Sequence, residues 1–181
     1  MVATGWFYLI TTIIAGFAIG IGVVLPALAQ THAASRALGA IARQPDEAPV
    51  ISRNLYIGLA MIESQALYVL IVALILLFAN PLESKVHDAA ASGTAAMWFL
   101  IGSAVVAALT ITVGTMASSL GQGRVTGTAL ESIAEQPAAR DPISTSLFIS
   151  LALLESLALY ALIVALILLF ANPLVGSVFP G

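Results

Sequence analysis

The stretch ESQALYVLIVALILLFANPL at 63–82 returns as ESLALYALIVALILLFANPL at 155–174. Each copy opens on a glutamate set inside a long apolar run and ends on Asn-Pro, which stops a helix. Runs of this length and composition read as membrane-spanning helices. A carboxylate in the middle of such a helix costs about 2.5–3.5 kcal/mol on insertion scales. Carried twice, with the same thirteen residues LIVALILLFANPL following at 70–82 and 162–174, that cost marks Glu63 and Glu155 as working groups.

The rest of the chain agrees with a lipid solvent. Of 181 residues, 60% are hydrophobic and 8% charged, and mean hydropathy is +1.06. A soluble domain carries about 25% charged residues, so too few are present to wet a surface around one core. Net charge is −3 and the six basic residues are scattered, which leaves no footprint for nucleic acid. With no cysteine, disulfides, thiolate metal sites and Cys nucleophiles are excluded. The start, Met-Val-Ala-Thr-Gly-Trp, has no basic region and its apolar run passes Leu28, so it reads as a retained span and not a cleaved signal peptide.

Sliding the chain along itself by 92 residues aligns it without a gap: Trp6-Phe7 on Trp98-Phe99, Gln30 on Gln122, Gln44-Pro45 on Gln136-Pro137, Glu63-Ser64 on Glu155-Ser156, and Tyr68 on Tyr160. The protein is a tandem duplication, divided as 1–89 and 90–181. In each half two apolar helices flank a short polar turn: spans at about 6–42 and 50–79, then about 95–133 and 143–171. Turns this short make antiparallel neighbours. The fold expected is an all-α membrane protein, two hairpins in series with four spans. Pro26 predicts a kink in the first helix. Five arginines (Arg36, Arg43, Arg53, Arg124, Arg140) lie toward the turns and only Lys85 lies in the central connection. By the positive-inside rule the turns 43–49 and 135–142 are cytoplasmic and both termini outside. Trp6 and Trp98 then sit at the outer interface, and 81–94, with Glu83, His87 and Asp88, is an outside loop.

The first helix of each hairpin is rich in Gly and Ala, the second in Leu, Ile, Val and Phe. Small residues let backbones approach closely in lipid, so the first helices fit a crowded inner wall and the second a lipid-facing layer. Many copies around an axis produce that asymmetry; one compact four-helix bundle is the alternative. Gln30 lies 15 residues before Pro45 and Glu63 lies 18 after it, about 22 and 27 Å from the turn, so the two share a depth. Gln122 and Glu155 repeat the relation around Pro137. With Ser64 and Tyr68, and Ser156 and Tyr160, each set offers a carboxylate, an amide, a hydroxyl and a phenol. A carboxylate alone can carry a proton; with amide and hydroxyl oxygens it makes a cage for a hard cation. The competing reading is polar glue between helices, which Gln or Asn would supply at lower cost. His32 and His87 have no partners at metal-ligand spacing, and Thr110 and Thr112 suit bonds to their own backbone. No phosphate loop, nucleophile elbow or catalytic carboxylate pair is present, so the chain is read as no enzyme and as needing no organic cofactor.

These residues carry a resemblance. The small-residue first helix, the turn Ala42-Arg43-Gln44-Pro45, and the second helix with Glu63-Ser64 and Tyr68 before LIVALILLFANP resemble the c-subunit, the proteolipid of F-type ATP synthases. The second hairpin does so through Gln122, Glu135-Gln136-Pro137, Glu155-Ser156 and Tyr160. The resemblance implies a homo-oligomeric rotor ring in the membrane, most simply a bacterial inner membrane, turning against the a-subunit. It places the turns Arg43-Gln44-Pro45 and Glu135-Gln136-Pro137 against the central stalk. Its ligand set is similar to that of sodium-carrying members, with Na⁺ (or H⁺) as the transported ion. Gln30 with Glu63 and Gln122 with Glu155 would be ligands, completed from the adjacent hairpin by Ser64 and Ser156 and the carbonyls of Met61 and Leu153. One kind of site then lies within a chain and the other between chains, and Gln65, which becomes Leu157 in the repeat, makes them unequal. A four-helix chain also resembles V-type proteolipids, which commonly keep one carboxylate. This chain keeps both, which moves more ions per turn and favours synthesis over pumping. A V-type or pump-only ring is the first alternative, a non-rotary four-span protein the second.

Overall fold

The computed structural model describes residues 2–178, with the side chains of residues 2, 3 and 176 left out; the extreme chain ends, whose outside placement the basic residues predict, lie beyond it. Among the described residues, four helical stretches are long and apolar enough to cross a membrane. The first is α1 (Val2–Gly22) continued by α2 (Val24–Arg43). A 3₁₀ turn at Pro45–Glu47 leads into α3 (Ala48–Phe78). After a connection that holds the short α4 (Val86–Ser92) come α5 (Thr94–Glu135), a second 3₁₀ turn at Pro137–Ala139, and α6 (Arg140–Phe170).

The two hairpin turns are built alike. Gln44 (φ −138°, ψ 76°) and Gln136 (φ −134°, ψ 77°) each leave the helix, and the proline that follows can open a new helical turn because it needs no N–H partner there. At the far ends Asn80 and Asn172 turn the chain: each side-chain oxygen accepts the N–H two residues on, from Leu82 at 3.1 Å and Leu174 at 3.0 Å. The connection 81–94 is not the loop expected from sequence. Pro81–Lys85 forms a 3₁₀ turn and α4 follows, because Leu82, Val86 and Ala89 face inward and are buried. Gly93, at φ 112°, then reverses direction in a conformation that side chains avoid.

Where Pro26 predicts a kink, the structure shows a break in the helix about one turn upstream. The helix is interrupted at Val23 alone, since Pro26 has no N–H for the carbonyl of Gly22. In the repeat Ser118 replaces this proline and α5 runs unbroken for 42 residues.

α5 is the hub, packing against α1, α2, α3, α4 and α6. Glycine permits close contacts here: a Cβ on Gly123 would stand 2.7 Å from the carbonyl oxygen of Ala29, and one on Gly58 would stand 2.6 Å from the Thr126 hydroxyl. A large apolar core with Phe7, Val69, Leu76, Leu100 and Ile111 fills the end near α4. A smaller one with Ala37, Ala40, Ile51, Leu130 and Ile133 fills the end near the turns. Gln30, Glu63, Gln122 and Glu155 sit between the two.

Candidate functional site

Glu155, on α6, is the meeting point. Four side chains donate hydrogen bonds to its carboxylate. Gln122 Nε2, from α5 of the same hairpin, reaches Oε2 at 3.0 Å. The other three come from α3 of the first hairpin: Gln65 Nε2 to Oε2 at 2.6 Å, Ser64 Oγ to Oε1 at 2.9 Å, and the Tyr68 hydroxyl to Oε1. Each carboxylate oxygen thus takes two donors. Ser64 also lies 2.6 Å from the carbonyl oxygen of Met61, which puts that oxygen at the same spot. Ser118 Oγ donates to the Leu154 carbonyl at 2.6 Å, tying the backbone just before Glu155 to α5.

Gln65 and Gln122 are completely buried, and the Oε1 atom of each has no hydrogen-bond partner. Two unpartnered amide oxygens beside a carboxylate are costly in this setting. The Ser64 hydroxyl and the Met61 carbonyl bring two further oxygen atoms close to the carboxylate, and oxygen is the ligand type that hard cations take. Among the described residues no three His, Cys, Asp or Glu side chains gather to hold a metal; the oxygens here come from amides, a hydroxyl and backbone.

The first hairpin's glutamate stands differently. Glu63 is exposed and receives Gln30 Nε2 at 2.7 Å. Ser64, Gln65 and Tyr68, its neighbours in sequence, point across to Glu155. Their counterparts Ser156, Leu157 and Tyr160 lie on the outer flank of α6, where Ser156 Oγ donates to the Leu153 carbonyl at 2.8 Å and Leu157 and Tyr160 are exposed. One chain therefore has a closed constellation between its hairpins, while Glu63 with Gln30, and Leu157 with Tyr160, are left on its exposed surface.

Toward the turns, ion pairs join the hairpins: Arg36 to Glu131 at 2.8 Å, and Arg140 to the buried Glu47 at 3.1 Å. Arg43 approaches Glu131 at 3.9 Å. Buried Asn54 donates to Ser144 at 2.6 Å. Sequence reasoning overlooked Ser118, Asn54, Glu47 and Glu131. Ser118 had a signal, since it stands where the first repeat has a proline.

The family model for the ATP synthase c-subunit matches twice, over residues 13–76 and 105–168. The first match contains Gln30 and Glu63 and the second Gln122 and Glu155, and together they take in more than half of the chain. The chain belongs to the ATP synthase c-subunit family. ATP synthase c-subunit 2 of Cereibacter sphaeroides is 57% identical over 67 residues, 37% of this chain and 81% of the relative. The ATP synthase c-subunit of a Synechococcus strain is 49% identical over 71 residues, 39% of this chain and 88% of its own. That of Dictyoglomus thermophilum is 44% identical over 80 residues, 44% and 95%. These relatives are each about one hairpin long, so this integral membrane protein holds two c-type hairpins in one polypeptide.

Proposed function

We propose that this chain is a rotor-ring subunit of a rotary ATP synthase that carries Na⁺ on Glu63 and Glu155. The observation that carries the reading is the Glu155 constellation, where a membrane carboxylate is met from two hairpins and flanked by two unpartnered amide oxygens. With Na⁺ present, rotation of the Gln65 and Gln122 amides would turn those oxygens onto the ion, beside Ser64 and the Met61 carbonyl. The cation and carboxylate neutralise one another, so a loaded site can face lipid. Tyr68 holds the carboxylate rotamer. A proton is carried at the same place if the cation is not. The chain performs no covalent chemistry and needs no organic cofactor.

The duplication supports a ring of copies. On α1, Thr12, Gly16 and Gly20 line an open groove. Their counterparts 92 residues on, Ala104, Ala108 and Thr112, are buried on α5, where Ile14 and Ala18 of α1 pack. The same packing repeated would seat α5 of a second copy, through Val106 and Thr110, in the open groove. This contact is head-to-tail, the kind that closes into rings. It also brings Ser156 and Tyr160 of one copy onto Glu63 of the next. Glu63 and Gln30 are then one half of a site shared between chains. The units 1–89 and 90–181 act as alternate rotor positions. The cytoplasmic turns Arg43-Gln44-Pro45 and Glu135-Gln136-Pro137 meet the central stalk, the a-subunit exchanges the ion, and both termini face outside a bacterial inner membrane.

The test is carbodiimide modification of Glu63 and Glu155 in the purified ring, with and without Na⁺ at neutral pH. Protection of both by Na⁺ is expected. Labelling that Na⁺ does not slow removes the sodium assignment in favour of protons, and failure of both glutamates to react removes the rotor reading.

A further inference from the structure

The sites at Glu155 and Glu63 differ at one donor. Under the 92-residue repeat, Ser64 corresponds to Ser156 and Tyr68 to Tyr160, but Gln65 corresponds to Leu157. At Glu155 the Gln65 amide is fully buried, donates to the carboxylate at 2.6 Å, and keeps a second polar atom, Oε1, unpartnered at the site. At the place between chains where the repeat would put the equivalent donor, Leu157 offers only methyl groups. The seam toward the turns differs in the same sense. Asn54 and Thr126, buried between the hairpins with unpartnered oxygens, correspond to Ser146 and Ala34.

Resting on the proposed function, we infer that the ring carries two alternating kinds of site, with Glu155 holding the transported ion more tightly than Glu63 and Gln65 setting the difference. Gln65 acts twice. Its N–H orients the carboxylate, and its oxygen adds a ligand where the other site has hydrocarbon. A polar partner of this kind changes affinity by roughly 3- to 10-fold. A turning rotor would then present the a-subunit with a tight site and a loose site in alternation.

The experiment uses the intact ring. Carbodiimide labelling of each glutamate is quantified separately by peptide mass spectrometry along a Na⁺ titration, and the half-protecting concentrations are compared. A comparison of half-points is unaffected by how fast each carboxyl reacts. The expected result is half-protection of Glu155 at roughly 3- to 10-fold lower Na⁺ than Glu63. Gln65→Leu should raise the Glu155 value to that of Glu63, and Leu157→Gln should lower the Glu63 value toward that of Glu155; native mass of each variant ring checks assembly. Equal half-points in the unmodified ring overturn the inference while leaving the proposed function intact. A difference that survives Gln65→Leu overturns the assignment to Gln65. If Na⁺ protects neither glutamate, the sodium reading fails, and the same comparison is made in the pH dependence of labelling. Separate midpoints there, merging in Gln65→Leu, support two kinds of site for protons; coincident midpoints overturn them.

Discussion

Glu155 and Glu63 sit in almost the same twenty residues of sequence and in very different surroundings. Glu155 takes four hydrogen bonds, three of them from the other hairpin. Glu63 is exposed, with Gln30 as its hydrogen-bonding partner. The difference lies in position within the duplication. The second hairpin has a neighbour on the correct side in its own chain, and the first has its neighbour only in another copy. Fusing two hairpins thus fixes half of the interfaces in a ring covalently, and those interfaces have diverged. Arg36, Glu131, Glu47 and Arg140 pair across the interface within the chain, whereas their counterparts 92 residues away are Thr128, Gly39, Ala139 and Ala48. The interface between chains has to hold without either ion pair.

The largest effects are expected at the carboxylates. Glu155→Gln and Glu63→Gln should each abolish ion-driven ATP synthesis in reconstituted vesicles, and each should leave the remaining glutamate open to Na⁺-sensitive labelling. A variant that keeps synthesis would show that its glutamate is not on the transport path. Packing comes next. Gly123→Val forces a side chain into the backbone of Ala29 and should cost about 1–3 kcal/mol as overpacking, lowering the thermal midpoint of the protein even outside a ring. Gly16 has open space around it in the single chain, so Gly16→Val should leave the chain folded and reduce only the yield of rings on native gels.

The ion pairs sharpen the contrast at smaller amplitude. Arg140→Ala leaves Glu47, which is 8% exposed, buried without its partner, and should destabilise by about 1–3 kcal/mol. Arg36→Ala breaks a pair with a half-exposed arginine and should cost at most about 1 kcal/mol, less at high salt. Both are read as shifts in thermal denaturation of the detergent-solubilised protein.

The helices, the hairpins and the duplication were legible because they depend on local rules: apolar runs of membrane length, Gln-Pro and Asn-Pro at the ends, and a repeat without gaps. Depth along the helices was legible too, since a fixed rise per residue brings Gln30 to Glu63 and Gln122 to Glu155. Rotation about the helix axes was not. Which glutamate Ser64, Gln65 and Tyr68 reach depends on how one hairpin is turned against the next, and close contacts such as Gly123 on Ala29 and Gly58 on Thr126 set that. Resemblance to the family, not spacing, pointed to sites shared between neighbouring hairpins. The pairs Arg36–Glu131 and Arg140–Glu47 join residues more than ninety positions apart, and nothing local announces them. The connection 81–94 was misread for a related reason. Its charges suggested a solvated loop, while Leu82, Val86 and Ala89, at spacings of four and three residues, make the buried face that folds it into helix.

The most direct measurement is the number of Na⁺ ions bound per chain at saturation in the purified, Na⁺-equilibrated ring. With one site closed inside each chain and one completed by its neighbour, two Na⁺ are expected per 181-residue chain, falling to one in Glu155→Gln and one in Glu63→Gln. A single Na⁺ per chain that Glu63→Gln leaves unchanged would contradict the shared site, and no bound Na⁺ would contradict the cation cage altogether.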